Sequence, residues 1–336
     1  MPAVKRSNAP WTLTDGRAGN VRQAVALADA LGLGLHRPLQ LTPRAPWRWV
    51  APRRLPGDAD GYGPGLRALL REPPVLAIGC GRQAAGALRV LRGQGTRTVQ
   101  ILDPRLPSRH WDLVVVPEHD TLRGANVVTL LGSLNPVDDD WLALGRAAFA
   151  GFAALPGPRT ALLVGGPTAH ATWDPAAMTD VFDALAAQLR AEGGSLLATT
   201  SRRTPPELAQ ALRDRFADIP HVIWGDGGDG VNPYAGLLGW ADRVVVSPDS
   251  VNLLSEACAT RLPVCVALPA SAQGRLAHFQ HALQARGRLQ RHWLDWTHAT
   301  IDPLRETARV AHEARQRLAL PDDQAKNAKE GTEEVN

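Results

Sequence analysis

The sequence predicts an α/β protein made of two parallel-sheet domains facing a cleft, and three observations lead there. Short apolar or β-branched runs alternate with helix-length stretches along the chain, the pattern of strands joined by crossover helices. Its 336 residues exceed one ordinary core and suit two domains of about 150 residues. Midway, Leu155-Pro156-Gly157-Pro158 interrupts the series as a linker would.

In chain order, the first series places strands at 11–14, 35–39, 75–78, 98–102, 113–116 and 127–130. The clearest helix, 21–31, sets Val21, Ala24, Val25, Ala28 and Leu31 on one face. The second series places strands at 160–164, 195–199, 222–224, 243–246 and 264–268, with helical stretches at 141–150 and 253–259. The expected division is a flexible N-terminus at 1–10, a Rossmann-like domain at 11–154, the linker at 155–158, a second Rossmann-like domain at 159–317 and a polar tail at 318–336 that frays from Pro321.

Composition narrows the function classes. With 44% hydrophobic and 21% charged residues the chain is globular. No apolar run approaches the roughly 18–20 residues of a membrane span. Residues 1–10 lack the apolar core of a signal peptide. A cytoplasmic protein is expected, with peripheral contact on the inner face of the membrane as the one membrane role left open. The net charge, 37 − 33 = +4, is scattered rather than striped, so nucleic acid is not an expected partner. Lysine occurs only at 5, 326 and 329; the arginine-dominated charge suits anionic small ligands or a lipid surface. Cys80, Cys258 and Cys265 lie far apart in apolar segments and read as inert buried thiols.

Ligands bind beyond the carboxyl ends of strands in open parallel sheets, which singles out five turns. Asp15-Gly16-Arg17-Ala18-Gly19-Asn20 runs from a strand straight into a helix. Gly16 and Gly19 permit close backbone approach and the helix start offers N–H groups beside Asn20, unless the loop is simply a tight turn. Gly79-Cys80-Gly81-Arg82-Gln83-Ala84 matches GxGxxA, with Asp103 closing the next strand. It imitates a dinucleotide fingerprint, but strands already precede it and Pro104-Arg105 makes an unusual ribose site. Gly79, Gly81 and Arg105 therefore join Gly16, Gly19 and Asn20 as acceptor-side candidates. Pro117-Glu118-His119-Asp120 caps a strand and offers His119 or Asp120 as general base, with Asp15 the alternative; a turn-bonded histidine is the plainer reading.

Gly165-Gly166-Pro167-Thr168 opens the second domain, where backbone passes close to a ligand or to the facing domain. Ser247-Pro248-Asp249-Ser250-Val251-Asn252 leads into a helix carrying Ser255-Glu256-Ala257. A hydroxyl-rich turn at a helix N-terminus holds a diphosphate, and Glu256 is spaced to accept ribose hydroxyls; otherwise this is an N-capped helix with a solvated glutamate. Asp138-Asp139-Asp140 contains a DxD pattern but reads as a helix cap, the aspartates of 225–230 read as turn formers, and no zinc spacing occurs, so no metal is predicted. Arg44, Trp47, Arg48, Trp49, Arg53 and Arg54 interleave indoles with guanidinium groups. That suits an anionic membrane interface or a lipid-linked acceptor, or aromatic packing with solvated arginines.

The string from Ala241 to Pro263 resembles the donor-binding segment of GT-B glycosyltransferases. From about Trp11 to Arg317 the chain resembles the mitochondrial-fission ELM (elongated mitochondria) family and its bacterial relatives. The matching residues are the Trp11-to-Asn20 string with Gln23, Asp103-Pro104-Arg105, Pro117-Glu118-His119-Asp120, Asn232-Pro233-Tyr234, Ala241-Asp242, Ser247-Pro248-Asp249-Ser250 and Ser255-Glu256-Ala257. The resemblance implies a dynamin-recruiting role at the mitochondrial surface for plant members and a GT-B-like architecture without an agreed reaction for bacterial ones. The Ala/Arg/Gly-rich composition suits a bacterial member, and with no transit peptide visible the fission role is not carried over.

The expected function is a metal-independent GT-B-like glycosyltransferase that takes a nucleotide-diphosphate sugar as substrate, with no tightly bound cofactor. Ser247, Asp249, Ser250, Asn252, Ser255 and Glu256, with Gly165 and Gly166, would hold the donor. Arg275, His278 and Gln280 would reach its sugar or phosphate. A helix end and a nearby arginine would stabilise the departing diphosphate. Two alternatives stand: a non-enzymatic binding or recruitment protein with a protein partner, and a nucleotide-sugar epimerase, NAD-dependent or cofactor-free.

Overall fold

The structure, a computed structural model, describes residues 9–292, 296 and 301–320. Most of the expected N-terminal and C-terminal tails, 1–8 and 321–336, lies outside the described residues. The described residues form two compact units, 9–135 with 306–320, and those between 136 and 305.

Unit 1 runs β1 (Trp11–Thr14), α1 (Ala18–Ala30), β2 (Arg37–Gln40), the short helices α2 (Trp47–Val50), α3 (Asp58–Gly61) and α4 (Pro64–Leu69), β3 (Leu76–Cys80), α5 (Arg82–Arg92), β4 (Arg97–Ile101), β5 (Leu113–Pro117) and β6 (Val127–Leu130). The six strands are all parallel, in the order β2-β1-β3-β4-β5-β6. Central strands are buried on both faces, so alternate residues serve different cores. Leu113 and Val115 of β5 share a cluster with Leu27 of α1 and Leu31 at its end, whereas Val114 and Val116 share one with Leu88 and Leu91 of α5.

Unit 2 runs α6 (Asp139–Ala148), β7 (Arg159–Val164), α7 (Pro175–Glu192), β8 (Ser195–Thr200), α8 (Pro206–Arg215), β9 (His221–Trp224), α9 (Tyr234–Trp240), β10 (Arg243–Val246), α10 (Val251–Cys258), β11 (Val264–Val266) and α11 (Gly274–Ala285). Its five strands are also parallel, in the order β11-β10-β7-β8-β9.

Four expectations are corrected. The units divide at Asn135/Pro136 rather than at 155–158, because α6 packs on α9 of unit 2. A Cβ on Gly145 would run into the Ala235 backbone, so only glycine lets the two helices approach so closely. A final helix, α12 (Glu306–Arg317), belongs to unit 1, where Val310, Ala311 and Ala314 complete the core on the α1 side. Leu318, expected in the polar tail, is buried in that same core. In α1 the buried stripe is Ala24, Leu27, Ala28 and Leu31, while Val21 is 36% exposed near the helix start.

Candidate functional site

Strand order alone locates a crevice in each sheet. From β1 the chain passes to β2 on one side and β3 on the other, so the order reverses between β1 and β3. In unit 2 the reversal falls between β7 and β10. Ligands of open parallel sheets bind at such switch points, beyond the carboxyl ends of the strands. All four loops there are among those the sequence singles out.

At the unit 2 switch point the turns after β7, β8 and β10 are bonded together. Gly165 N donates to Ser247 Oγ at 2.7 Å and Gly166 N to Asp249 Oδ2 at 3.1 Å. Ser247 Oγ in turn donates to Asp249 Oδ1 at 2.7 Å. Thr204 Oγ1, after β8, donates to the carbonyls of Val164 and Gly165. Arg203 Nη2 donates to Asp249 Oδ2 at 2.8 Å. A Cβ on Gly165 would overlap the Asp249 carboxylate, and one on Gly166 the Arg203 carbonyl, so both positions need glycine. The Asp249 side chain is fully buried and Arg203 half exposed, leaving the guanidinium as the charge this crevice presents to solvent.

The remaining donor-side residues divide by burial. Ser250 caps α10, its Oγ accepting from Leu253 N at 3.3 Å, and Asn252 beside it is half-buried. Ser255 Oγ is bonded inside α10 to Val251 O. Glu256, expected to face ribose hydroxyls, is 1% exposed and accepts from the Tyr234 hydroxyl at 2.5 Å. Gln280 is buried, with Nε2 donating to Pro248 O at 2.9 Å, and supports the turn from α11. Ser247, Asp249, Ser255, Glu256 and Gln280 therefore shape the site from within rather than offering polar atoms at its surface. Arg275 and His278, at the exposed start of α11, stand where a ligand could reach them. Backbone strain marks the same edge: Leu268, just past β11, holds φ 50°. A cavity of about 420 Å³ opens farther out, with Val266, Gln280, His281, Gln290 and His292 among its walls. It sits beside the edge strand β11 and shares Gln280 with the turn after β10.

At the unit 1 switch point Asn20 joins the two loops. Its Nδ2 donates to Asp15 Oδ1 at 2.9 Å, and its Oδ1 accepts from Cys80 Sγ at 3.5 Å. Asp15 also accepts from Arg17 N at 3.1 Å. Gly16 (φ 78°) and Gly81 (φ 90°) hold left-handed backbone that favours glycine. Gly79 answers a different need: its Cβ would press on Leu88, so it is a packing position in β3. Gly19 lies in the first turn of α1. One strand over, Gln100 is buried with Nε2 donating to Ile101 O at 2.5 Å and Leu102 O at 3.2 Å. Leu102 (φ 73°) and Arg105 (φ 58°) are strained there, and Arg105 Nη1 lies 3.2 Å from Asp103 Oδ2. Asp120 is buried and His119 half-buried in a turn whose carbonyls at Glu118 and Asp120 accept from Arg123. Asp15 belongs to the loop after β1 and His119–Asp120 to the loop after β5, two different places along the sheet edge.

The other marked motifs are accounted for locally. Asp138 caps α6 through Trp141 N at 2.7 Å, and Asp139 pairs with Arg305. Asp226 and Asp229 accept from Gly228 N and Gly225 N, forming the turn after β9. Among the described residues no group of three or more His, Cys, Asp or Glu could hold a metal ion, and no helix is long and apolar enough to cross a membrane. All three cysteines are buried. Arg203 and Gln100 were not legible in sequence, since neither sits in a recognisable pattern; their positions after or within strands were the only signal.

A family model described as mitochondrial fission ELM1 matches residues 18–318. The mitochondrial fission protein ELM1 of Arabidopsis thaliana is 32% identical over 282 residues, 74% of this chain, which spans 65% of that relative's length. An uncharacterized protein of Rickettsia prowazekii is 22% identical over 302 residues, 77% of this chain and 83% of that one. Among solved structures, UDP-GlcNAc 2-epimerase from Neisseria meningitidis aligns with a TM-score of 0.50 at 11% identity, covering 92% of this chain and 100% of that one. MurG of Acinetobacter baumannii aligns with a TM-score of 0.47 at 16% identity, covering 93% and 90%. The fold, two parallel-sheet α/β units, is GT-B-like.

Proposed function

The chain belongs to the mitochondrial fission ELM1 family, and from that premise we propose that it binds a nucleotide-diphosphate sugar at the switch point of unit 2 and transfers the sugar to an acceptor hydroxyl. The observation that carries this reading is Arg203: a half-exposed guanidinium tethered to a buried carboxylate where the turns after β7, β8 and β10 meet. A diphosphate leaving group gathers negative charge as the bond to the anomeric carbon breaks. A fixed guanidinium and the N-terminus of α10 stabilise that charge. The acceptor oxygen forms the new bond, and its proton needs a base; His119, Asp120 and Asp15 are the residues proposed for that role.

Glu256 then acts as a positioning residue, fixing α10 to α9 through Tyr234. Arg275 and His278 are proposed to contact the sugar or phosphate. A protein that recruits a partner on the same scaffold is the second reading. It is favoured by the inward use of Ser247, Asp249, Glu256 and Gln280, which a scaffold without chemistry would also keep.

The test is release of nucleoside diphosphate from a panel of UDP-, GDP- and CDP-sugars, with and without a lipid extract as acceptor source. Release by the wild type that disappears in Arg203→Ala supports transfer. No release from any donor under either condition would leave the recruitment reading in its place.

A further inference from the structure

We propose that unit 1 docks on an anionic phospholipid surface through residues 44–54. This inference is independent of the nucleotide-sugar reading. Residues 42–57 contain four arginines, Arg44, Arg48, Arg53 and Arg54, and no acid. All four are exposed. Trp49 stands out among them, 63% exposed, with the Arg48 guanidinium 5.9 Å from its ring centre.

The segment is held so that one indole faces inward and the other outward. Trp47 Nε1 donates to Asp58 Oδ1 at 3.1 Å, and Gly61 leaves room for its ring, since a Cβ there would overlap it. Asp58, 5% exposed, also accepts from Arg54 Nε at 2.7 Å and Leu55 N at 2.9 Å. Arg89 Nη1 donates to Pro52 O at 2.7 Å, and Arg82 Nη2 to Arg48 O at 3.3 Å. Trp49 is therefore displayed by a tied framework rather than left out of a core.

An exposed indole with one guanidinium against its ring, in a segment carrying three further exposed arginines, matches the headgroup level of a bilayer. The ring enters the acyl boundary, the arginine stems lie along it, and the guanidinium groups meet lipid phosphates. The patch follows β2, the edge strand paired with β1, and Arg82 starts the helix after Gly81. Docking here brings the carboxyl edge of the unit 1 sheet to the lipid surface, where a membrane-embedded molecule could reach the Asp15–Asn20 loop.

The experiment is flotation of the full chain with vesicles of phosphatidylcholine alone and of phosphatidylcholine mixed with phosphatidylglycerol, repeated with a polynucleotide in place of vesicles. Expected is binding to anionic vesicles only, weakened about fivefold for each arginine replaced by glutamine at 48 or 53, and weakened again by Trp49→Ser. These are surface positions away from the Asp58 framework, and unchanged thermal unfolding of each variant verifies that the fold is retained. Equal binding to neutral and anionic vesicles, binding indifferent to these substitutions, or capture of polynucleotide but not vesicles would overturn the proposal.

Discussion

Arg203 and Asp249 form an ion pair at 2.8 Å in which one partner is fully buried and the other 48% exposed. The asymmetry separates two roles. Asp249 organises the crevice by accepting from Gly166, Ser247 and Arg203, while Arg203 carries charge to its surface.

Asp249→Ala strands the donors that share its carboxylate and is expected to cost about 2–4 kcal/mol. Arg203→Ala leaves the buried carboxylate with the Gly166 and Ser247 donors alone and is expected to cost about 1–3 kcal/mol. Urea unfolding of both variants checks this, and a larger loss for Arg203→Ala would contradict the assignment.

Gly86 lies on α5 against the buried ring of Tyr62, whose hydroxyl occupies the space a Cβ would take. Gly86→Ala is expected to lower stability by about 1–3 kcal/mol through overpacking. Gly151 has nothing within 4 Å of its Cβ position, so Gly151→Ala should leave the unfolding midpoint nearly unchanged.

Burial pushes the Cys258 and Cys265 thiols up to about 12 and raises that of Cys80 as well. Near neutral pH the native protein should resist alkylation, and unfolding in urea should expose all three thiols. Rapid labelling of the native chain, followed by mass spectrometry, would show the thiol burial to be wrong.

These outcomes also measure what the sequence could convey. The turns after β1, β3, β7 and β10 were legible because glycines and hydroxyls follow strongly apolar runs at each. Arg203 was not, for it sits 46 residues from its carboxylate partner, in a turn without a motif. The inward turn of Glu256 depends on Tyr234, 22 residues upstream, and a helix-start glutamate reads the same whether it faces a ribose or a buried phenol. The stripe Val310, Ala311 and Ala314 of α12 is equally silent: an amphipathic helix states that it covers a core, not which one.

Acid should weaken the fold through surface carboxylates held by arginines. The Arg190 bond holds Asp218 down to about 2 from its ordinary 3.8, and bonds from Arg305 and Arg261 hold Asp139 well below the usual carboxylate range. A depressed pKa contributes stability that is present above the ordinary value and lost as pH falls through the depressed one. Urea midpoints should therefore fall between pH 3.8 and about 2, and less steeply in Asp218→Asn. An unchanged slope in that variant would contradict the pairing.

On the proposed function, the switch point between β7 and β10 binds a nucleoside diphosphate. Calorimetric titration of the full chain with UDP, GDP, CDP and NAD, repeated on Arg203→Ala, tests it most directly. At least one diphosphate is expected to bind and NAD is not, and Arg203→Ala is expected to weaken binding about tenfold or more, as loss of a charge-assisted contact should. No diphosphate binding even at millimolar concentration, or binding indifferent to Arg203, would contradict it.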